Sequence, residues 1–288
     1  MNNYAIPQDV AALCTRLRRT GFSAYPVGGA VRDLVLGRCP NDWDVATSAR
    51  PDQIAALFPT AQPTGLPFGT LTLFTGVRAV EVTTFRRDGP YSDGRRPDYV
   101  VFVPDLLTDL SRRDFTLNAM ALTEEGNLLD PFNGRADIAL RRICCVGAPC
   151  VRFEEDALRM LRALRLSAQL DFTLGAEEQQ VLSIHASWAR RVSAERICTE
   201  LERALLGCAP ERTAAFFSLG LLDHLLCTPA APDLRTLSLL PPDPSLRWAR
   251  LCRQLLRCGA VTDPTRFLQS LHMERSRRRC ILAILAQT

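Results

Sequence analysis

The stretch that decides the fold is Pro26-Val-Gly-Gly-Ala-Val-Arg-Asp33, which is followed by Asn41-Asp-Trp-Asp-Val45. Glycines let backbone N–H groups approach phosphate oxygens, and a helix that begins just beyond them adds its positive dipole end. Arg32 would lie in the first turn of that helix. The first stretch therefore predicts a triphosphate-binding turn, although a Gly-Gly pair also suits an ordinary tight turn.

The second stretch places two carboxylates one residue apart, at Asp42 and Asp44. In an extended segment, side chains at positions i and i+2 point to the same face. Two oxygen donors on one face suit Mg²⁺, which takes one or two carboxylates together with substrate phosphates. The same spacing is also common in solvated loops, so the pattern alone leaves the two interpretations open.

Residues 69–74 and 78–85 alternate and are rich in β-branched side chains, which predicts a hairpin that turns at residues 75–77. Glu81 lies in the second strand between two valines. Its carboxylate either faces solvent or adds a third acid to the pair at Asp42 and Asp44. The polar, glycine- and proline-containing segment 86–97 predicts a loop, and long loops beside active sites often act as lids.

Length and composition limit the classes of function. A chain of 288 residues accommodates about two domains. It has no run of about 18 uncharged apolar residues and no signal-peptide pattern, so we expect a cytoplasmic protein without a membrane partner. The 11 cysteines lack a C-x-x-C pair and only three histidines occur, which argues against a zinc site.

Two later stretches complete a pattern. They are Leu110-Ser-Arg-Arg-Asp-Phe-Thr-Leu-Asn-Ala-Met120 and Phe153-Glu-Glu-Asp-Ala-Leu-Arg159. Together with the stretches 26–33 and 41–45, they resemble the motifs of the polymerase-β-like nucleotidyltransferases, in particular class II tRNA nucleotidyltransferases (CCA-adding enzymes) and bacterial poly(A) polymerases. The resemblance implies an α+β fold: a head with a small mixed sheet and flanking helices (residues 1–138), an all-helical neck (139–226) and a short helical body (227–288).

The resemblance also assigns roles to individual residues. It implies that Asp42 and Asp44 hold Mg²⁺ and that Glu81 is the third catalytic acid. The residues implied in nucleotide and triphosphate binding are Gly28, Gly29, Arg32, Arg113, Asp114 and Asn118. Taken by themselves, Asp114 and Asn118 also fit the first turn of a helix, so a capping role is an alternative.

Hydrogen-bond chemistry points to a base-selecting pair at Asp156 and Arg159. Cytosine and adenine present an amino donor beside a ring-nitrogen acceptor, whereas uracil and guanine present a carbonyl acceptor beside a ring N–H donor. A carboxylate beside a guanidinium therefore matches cytosine and adenine but not uracil and guanine. The resemblance adds Arg162 and Arg165. The spacing of the leucines predicts one strong helix over residues 153–166. On this helix Arg165 points nearly opposite Asp156, which favours a phosphate-binding or structural role for Arg165. An ordinary salt bridge between Asp156 and Arg159 is the simpler alternative.

The resemblance implies template-independent addition of C and A from CTP and ATP to the 3′ end of tRNA, with release of pyrophosphate. The segment 86–97 favours addition of both bases. The alternatives are a CC-only or A-only enzyme, a bacterial poly(A) polymerase, which shares the head, and a non-catalytic RNA-binding module. The sequence does not decide between a monomer and a homodimer, and it leaves open how tRNA is anchored.

Overall fold

The computed structural model describes residues 3–287, which divide into two compact units. The first unit extends to Leu140 and includes Cys144–Ala148, and the second contains Arg141–Ile143 and the chain from Pro149 onward. The boundary expected at residue 138 lies near Leu140 and stays a prediction. The boundary expected at 226 falls inside the second unit, so the separation of neck from body stays a prediction.

The first unit is built on a mixed seven-stranded sheet in the order β3-β4-β5-β2-β1-β8-β9. Strands β2 and β5 are parallel, and the other neighbours are antiparallel. Strands β6 and β7 form a separate pair. The bounds are α1 (Gln8–Arg19), β1 (Ala24–Val27), α2 (Gly29–Val35), β2 (Trp43–Thr47), α3 (Pro51–Leu57), β3 (Gln62–Gly65), β4 (Thr70–Phe74), β5 (Ala79–Thr84), β6 (Arg86–Asp88), β7 (Val100–Phe102), α4 (Leu106–Ser111), β8 (Ala121–Leu122), β9 (Leu128–Leu129) and α5 (Gly134–Ala139). The expected head, a small mixed sheet with flanking helices, is confirmed.

The predicted hairpin is formed by β4 and β5. Thr75 N–H donates to the Arg78 carbonyl at the turn, and Thr72 lies opposite Glu81. Alternation sends Val80 and Val82 into the core, where both are fully buried, and turns Glu81 outward. The core on that side of the sheet also contains the apolar face of α1 and Trp43. This packing fixes the strand that carries the acidic residues.

The segment 86–97 is not entirely a loop, because its first three residues form β6 and pair with β7. The chain between the two strands is closed by contacts of its own. Gly89 N–H donates to the Tyr99 carbonyl, and the Ser92 hydroxyl donates to Asp98 at 2.7 Å. Periodicity missed these strands because they are only three residues long.

The second unit is almost entirely helical. Its elements are β10 (Arg142–Ile143), α6 (Pro149–Glu155), α7 (Leu158–Leu170), β11 (Thr173–Leu174), α8 (Ala176–Ile184), α9 (Ala194–Leu205), α10 (Ala215–Ser218), α11 (Pro244–Arg257), α12 (Pro264–Ser270) and α13 (Arg275–Gln287), with β10 parallel to β11. The Asp243 and Asp263 side chains cap the first N–H groups of α11 and α12. No helix within residues 3–287 is long and apolar enough to cross a membrane.

The helix predicted over residues 153–166 is interrupted, because α6 ends at Glu155 and α7 begins at Leu158. The Asp156 carboxylate accepts the Leu158 N–H at 3.0 Å. A short acidic side chain that bonds a nearby backbone N–H competes with continuation of a helix. Asp156 therefore lies at the junction of two helices, and the projection onto one ideal helix does not apply to it.

Candidate active site

Gly28 joins β1 to α2 and brings the backbone close to two charged groups. Its φ of 76° and ψ of −136° lie in a region that side chains other than glycine rarely adopt. A Cβ atom at this position would lie 3.3 Å from Arg113 Nη1 and 3.5 Å from Asp44 Oδ2. The glycine predicted to bind phosphate is therefore required both for its conformation and for the space beside a guanidinium and a carboxylate.

The three predicted acids come together around the pair of parallel strands. Asp44 on β2 lies directly opposite Glu81 on β5, and Asp42 lies in the bend that precedes β2. Burial raises the pKa of Asp44 to about 6; the Arg113 guanidinium opposes this change, whereas the negative charges of Glu81 and Asp42 add to it. The two neighbouring acids are thus close enough to repel an ionised Asp44.

This donor set fits a magnesium ion. A carboxylate whose ionisation is opposed by burial and by two other acids gains most from a divalent cation. Within residues 3–287, no group of three or more histidine, cysteine, aspartate or glutamate side chains is arranged to hold a metal. A pair of carboxylates is a ligand set that Mg²⁺ accepts when substrate oxygens complete its shell.

Arg113 is held in place by Asp109, which belongs to none of the motifs described above. Arg113 Nη2 donates to Asp109 Oδ2 at 3.1 Å, and Arg112 donates twice to Oδ1. Burial alone would raise the pKa of Asp109, but the two guanidinium groups hold it below its usual range. The i, i+4 spacing of Asp109 and Arg113 was a signal that could have identified this support.

Arg113 also carries a donor that has no partner. Its Nε atom is buried and makes no hydrogen bond within the described residues. A buried N–H group without an acceptor is costly. Gly28 and Asp44 lie beside Nη1 of the same guanidinium.

The remaining predicted nucleotide-binding residues of the head form one hydrogen-bonded chain. Arg32 Nη1 donates to Asn118 Oδ1 at 2.9 Å, and Asn118 Nδ2 donates to Asp114 Oδ1 at 3.4 Å. Gly29 lies in the first turn of α2, where a Cβ atom would meet Arg32 Nη2 at 3.6 Å. The structure thus joins residues from two motifs that lie about eighty positions apart.

In the second unit, the predicted base-selecting pair is arranged differently from an ordinary salt bridge. Arg196 Nη2 donates to Asp156 Oδ2 at 2.9 Å, and its Nη1 lies 3.4 Å from Oδ1. Arg159 instead donates to Glu155 and, at 3.0 Å, to the Arg152 carbonyl. Asp156 and Arg159 are therefore near neighbours that are each oriented by another charged residue.

Two further arginines were predicted to bind nucleotide. Arg165 is buried, and its Nε donates to Glu200 on α9 at 2.6 Å. This contact supports the structural role that the sequence favoured for Arg165. Arg162 is half-buried on α7, and its role stays a prediction. Arg196, to which the sequence analysis assigned no role, is the residue that the structure adds to this region.

Comparisons with known proteins agree with this arrangement. Residues 24–144 match the Poly A polymerase head domain. The chain is 42% identical over 254 residues to a CCA-adding enzyme of Geobacillus kaustophilus, and the match covers 86% of this chain and 63% of that protein. It is 46% identical over 219 residues to a CCA-adding enzyme of Geobacillus thermodenitrificans, covering 76% and 54%.

A solved structure is similar over almost the whole chain. It is the crystal structure of a Bacillus stearothermophilus CCA-adding enzyme in complex with CTP, with a TM-score of 0.85 and 36% sequence identity. The match covers 97% of this chain and 69% of that one. The mixed sheet, followed in the chain by a helical unit, therefore defines a polymerase-β-like nucleotidyltransferase fold.

The chain belongs to the tRNA nucleotidyltransferase/poly(A) polymerase family, in which it is similar to the class II CCA-adding enzymes. It spans between half and two thirds of the length of the curated relatives described above.

Proposed function

We propose that the protein adds C and A from CTP and ATP to the 3′ end of tRNA without a nucleic-acid template. The observation that carries this proposal is the pairing of Asp156 with Arg196 and of Arg159 with Glu155. These contacts hold a carboxylate and a guanidinium side by side at the start of α7. The names of the relatives, which are CCA-adding enzymes, support the same reaction.

The chemistry of the bases supports the assignment of Asp156 and Arg159. The carboxylate accepts a hydrogen bond from the amino group of cytosine or adenine, and the guanidinium donates to the adjacent ring nitrogen. Uracil and guanine would place an acceptor against the carboxylate and a donor against the guanidinium. A polar site that the wrong base leaves unpaired discriminates strongly, by as much as ~10⁴–10⁵.

The head residues serve the transfer itself. Asp42 and Asp44 would hold Mg²⁺, which neutralises charge on the triphosphate when it is bound. Arg32, Arg113 and the Gly28–Gly29 backbone bind the triphosphate, while Glu81 helps to activate the primer 3′-hydroxyl. That oxygen attacks the α-phosphorus, and pyrophosphate leaves toward the glycine turn. Asp114 and Asn118 orient Arg32 and contact the nucleotide.

One experiment separates this function from its alternatives. Three tRNA transcripts, ending before CCA, after C and after CC, are each incubated with one labelled nucleotide at a time. We expect CTP to extend the first two and ATP only the third. A long adenosine tract would identify a poly(A) polymerase, extension by only CTP or only ATP a partial-activity enzyme, and no incorporation a non-catalytic RNA-binding module.

A further inference from the structure

Three side chains form a stack on the surface of the second unit, outside the residues assigned to the transfer. The rings of His185 and Trp188 have centroids 4.1 Å apart and planes inclined by 24°. The guanidinium carbon of Arg191 lies 5.5 Å from the centroid of Trp188. We call these three residues the His–Trp–Arg ladder.

The backbone explains why the ladder forms. Residues Ala186–Arg191 are a 3₁₀ helix, whose three residues per turn place positions i, i+3 and i+6 in line. Ala189 and Val192 are buried and anchor this turn in the unit. His185 and Trp188 are half-buried and Arg191 is exposed. The ladder therefore lies on the solvent-facing side of a turn whose opposite side is anchored by Ala189 and Val192.

The two arginines at the ladder form no ion pair among the described residues. Arg190 and Arg191 are both exposed, and neither forms an ion pair within residues 3–287. Other arginines of the unit behave differently: Arg196 pairs with Asp156 and Arg212 with Asp171. Two cations beside an aromatic stack thus face solvent without an ion-pair partner in the described part of the chain.

We propose that the His–Trp–Arg ladder is a binding surface for single-stranded RNA, on which an unpaired base stacks while Arg190 and Arg191 contact phosphates. Proteins hold unpaired nucleotides by this combination of aromatic and guanidinium planes with a positive surface. The inference rests on the proposed function, because tRNA is the RNA that this reaction uses. An acidic protein partner would match the charge but would make no use of the stacked rings.

The stacking surface is tested by comparing Trp188→Ala with Trp188→Phe, which keeps a flat ring. Affinity for a fluorescently labelled single-stranded RNA and for a tRNA transcript without CCA is measured by anisotropy. We expect Trp188→Ala to weaken binding about tenfold and Trp188→Phe to stay within about threefold of the wild type. If folded Trp188→Ala binds both RNAs as tightly as the wild type, or if the two variants lose affinity equally, the proposal is wrong.

The role of the arginines has its own matched control. Arg257 is also exposed and lacks an ion pair in the described part of the chain, and no aromatic ring lies beneath it. We expect Arg191→Ala to lower RNA affinity and to reduce the slope of log K against log salt by about 0.7, whereas Arg257→Ala has a smaller effect. Equal effects of the two variants would show that only overall charge matters and would overturn the proposal.

Tryptophan fluorescence reports on the ladder directly. The other two tryptophans, Trp43 and Trp248, are 2% and 0% exposed. RNA should therefore quench emission in the wild type and protect it from acrylamide, and Trp188→Phe should abolish this change. An RNA-dependent change that persists in Trp188→Phe would contradict the proposal.

The outcome for the ladder is separable from the outcome for the transfer reaction. RNA affinity tests the ladder even if no nucleotide is incorporated. If transfer occurs, Trp188→Ala should raise the KM for tRNA about tenfold and leave kcat unchanged. A fall in kcat at unchanged RNA affinity would assign Trp188 to the catalytic unit and would overturn the binding role.

Discussion

The acidic site of the head and the Asp156 region of the second unit differ in how their charges are balanced. In the head, burial and the negative charges of Glu81 and Asp42 oppose the ionisation of Asp44, and only Arg113 favours it. At the start of α7, carboxylates and guanidinium groups are matched, with Asp156 on Arg196 and Arg159 on Glu155.

This difference indicates two kinds of binding site. In the head, a bound cation would balance the negative charge of the acids, and a bound phosphate would balance the positive charge of Arg113. The charges of this site are therefore balanced only when its ligands are bound. Matched charges in the second unit keep two polar groups in a fixed orientation before any ligand arrives, which suits selection between bases of similar shape. Under the proposed function, the first site would bind and transfer any nucleotide, and the second would select the base.

The largest effect is expected from Asp44→Asn. The amide keeps the shape of the side chain but removes the charge that would bind Mg²⁺. We expect incorporation of labelled CTP into a tRNA transcript to fall about a thousandfold or more. Asp52→Asn, which changes an aspartate in the first turn of α3, is the control and should retain activity. Incorporation by Asp44→Asn at the wild-type rate would remove Asp44 from the site.

A smaller change in rate but a specific change in selectivity is expected from Asp156→Asn. Its amide can still accept the Leu158 N–H at the helix junction, so the local fold is retained. The added N–H₂ group donates where the carboxylate accepted. We expect the preference for CTP over UTP to fall about a hundredfold or more, measured as a ratio of kcat/KM. Glu154→Gln on α6 removes the same charge at an exposed position and should keep the preference.

The third effect is on stability and depends on pH. Because the pKa of Asp44 is raised from 3.8 to about 6, the folded protein binds this proton more tightly than the unfolded chain. The resulting stability is complete below pH 4 and is lost as the pH rises through about 6. At pH 8 and without metal, the ionised group costs about 3 kcal/mol.

Thermal unfolding in EDTA checks this sign. At pH 8, Asp44→Asn should unfold at a higher temperature than the wild type, and at pH 4.5 this difference in Tm should be smaller. Mg²⁺ should raise the Tm of the wild type at pH 8 and leave the variant nearly unchanged. A lower Tm for the variant at pH 8 would show that the ionised Asp44 carboxylate does not destabilise the metal-free protein.

The smallest effect concerns Gly28. An alanine would be strained at a φ of 76° and would place its Cβ 3.3 Å from Arg113 Nη1. We expect Gly28→Ala to lower the free energy of unfolding by about 1–3 kcal/mol, measured in urea. Gly29→Ala is the matched control, because this position is helical and its Cβ would meet only the flexible end of Arg32. Equal destabilisation by the two variants would contradict this reason for the glycine.

Local spacing in the sequence predicted much of the head. The i, i+2 separation suggested one extended segment for Asp42 and Asp44, and alternation put Glu81 in a strand. The fold adds that Asp44 lies opposite Glu81 on a neighbouring strand, whereas Asp42 lies in the bend before β2. The support of Arg113 by Asp109 was missed, although it is also local. The same reasoning did not find β6 and β7, which are too short for a periodic pattern.

The second unit was less predictable because its decisive contacts are distant in sequence. Asp156 is forty positions from Arg196, and Arg165 is thirty-five from Glu200. No local pattern reveals which residues of α9 face α7. Helical periodicity also suggested one helix through Asp156, whereas a capping hydrogen bond ends the pattern there. The pair at Asp156 and Arg159 was proposed from chemistry. Its partner Glu155 lies four residues from Arg159, within the range of local patterns, whereas Arg196 was found only in the fold.

The most direct test of the division between binding and identity is a calorimetric titration of CTP and UTP in Mg²⁺ against the wild type, Asp44→Asn and Asp156→Asn. We predict that Asp44→Asn weakens both nucleotides by the same factor and that Asp156→Asn keeps UTP affinity while removing the preference for CTP. A changed CTP-to-UTP ratio in Asp44→Asn, or an unchanged ratio in Asp156→Asn, would contradict this account.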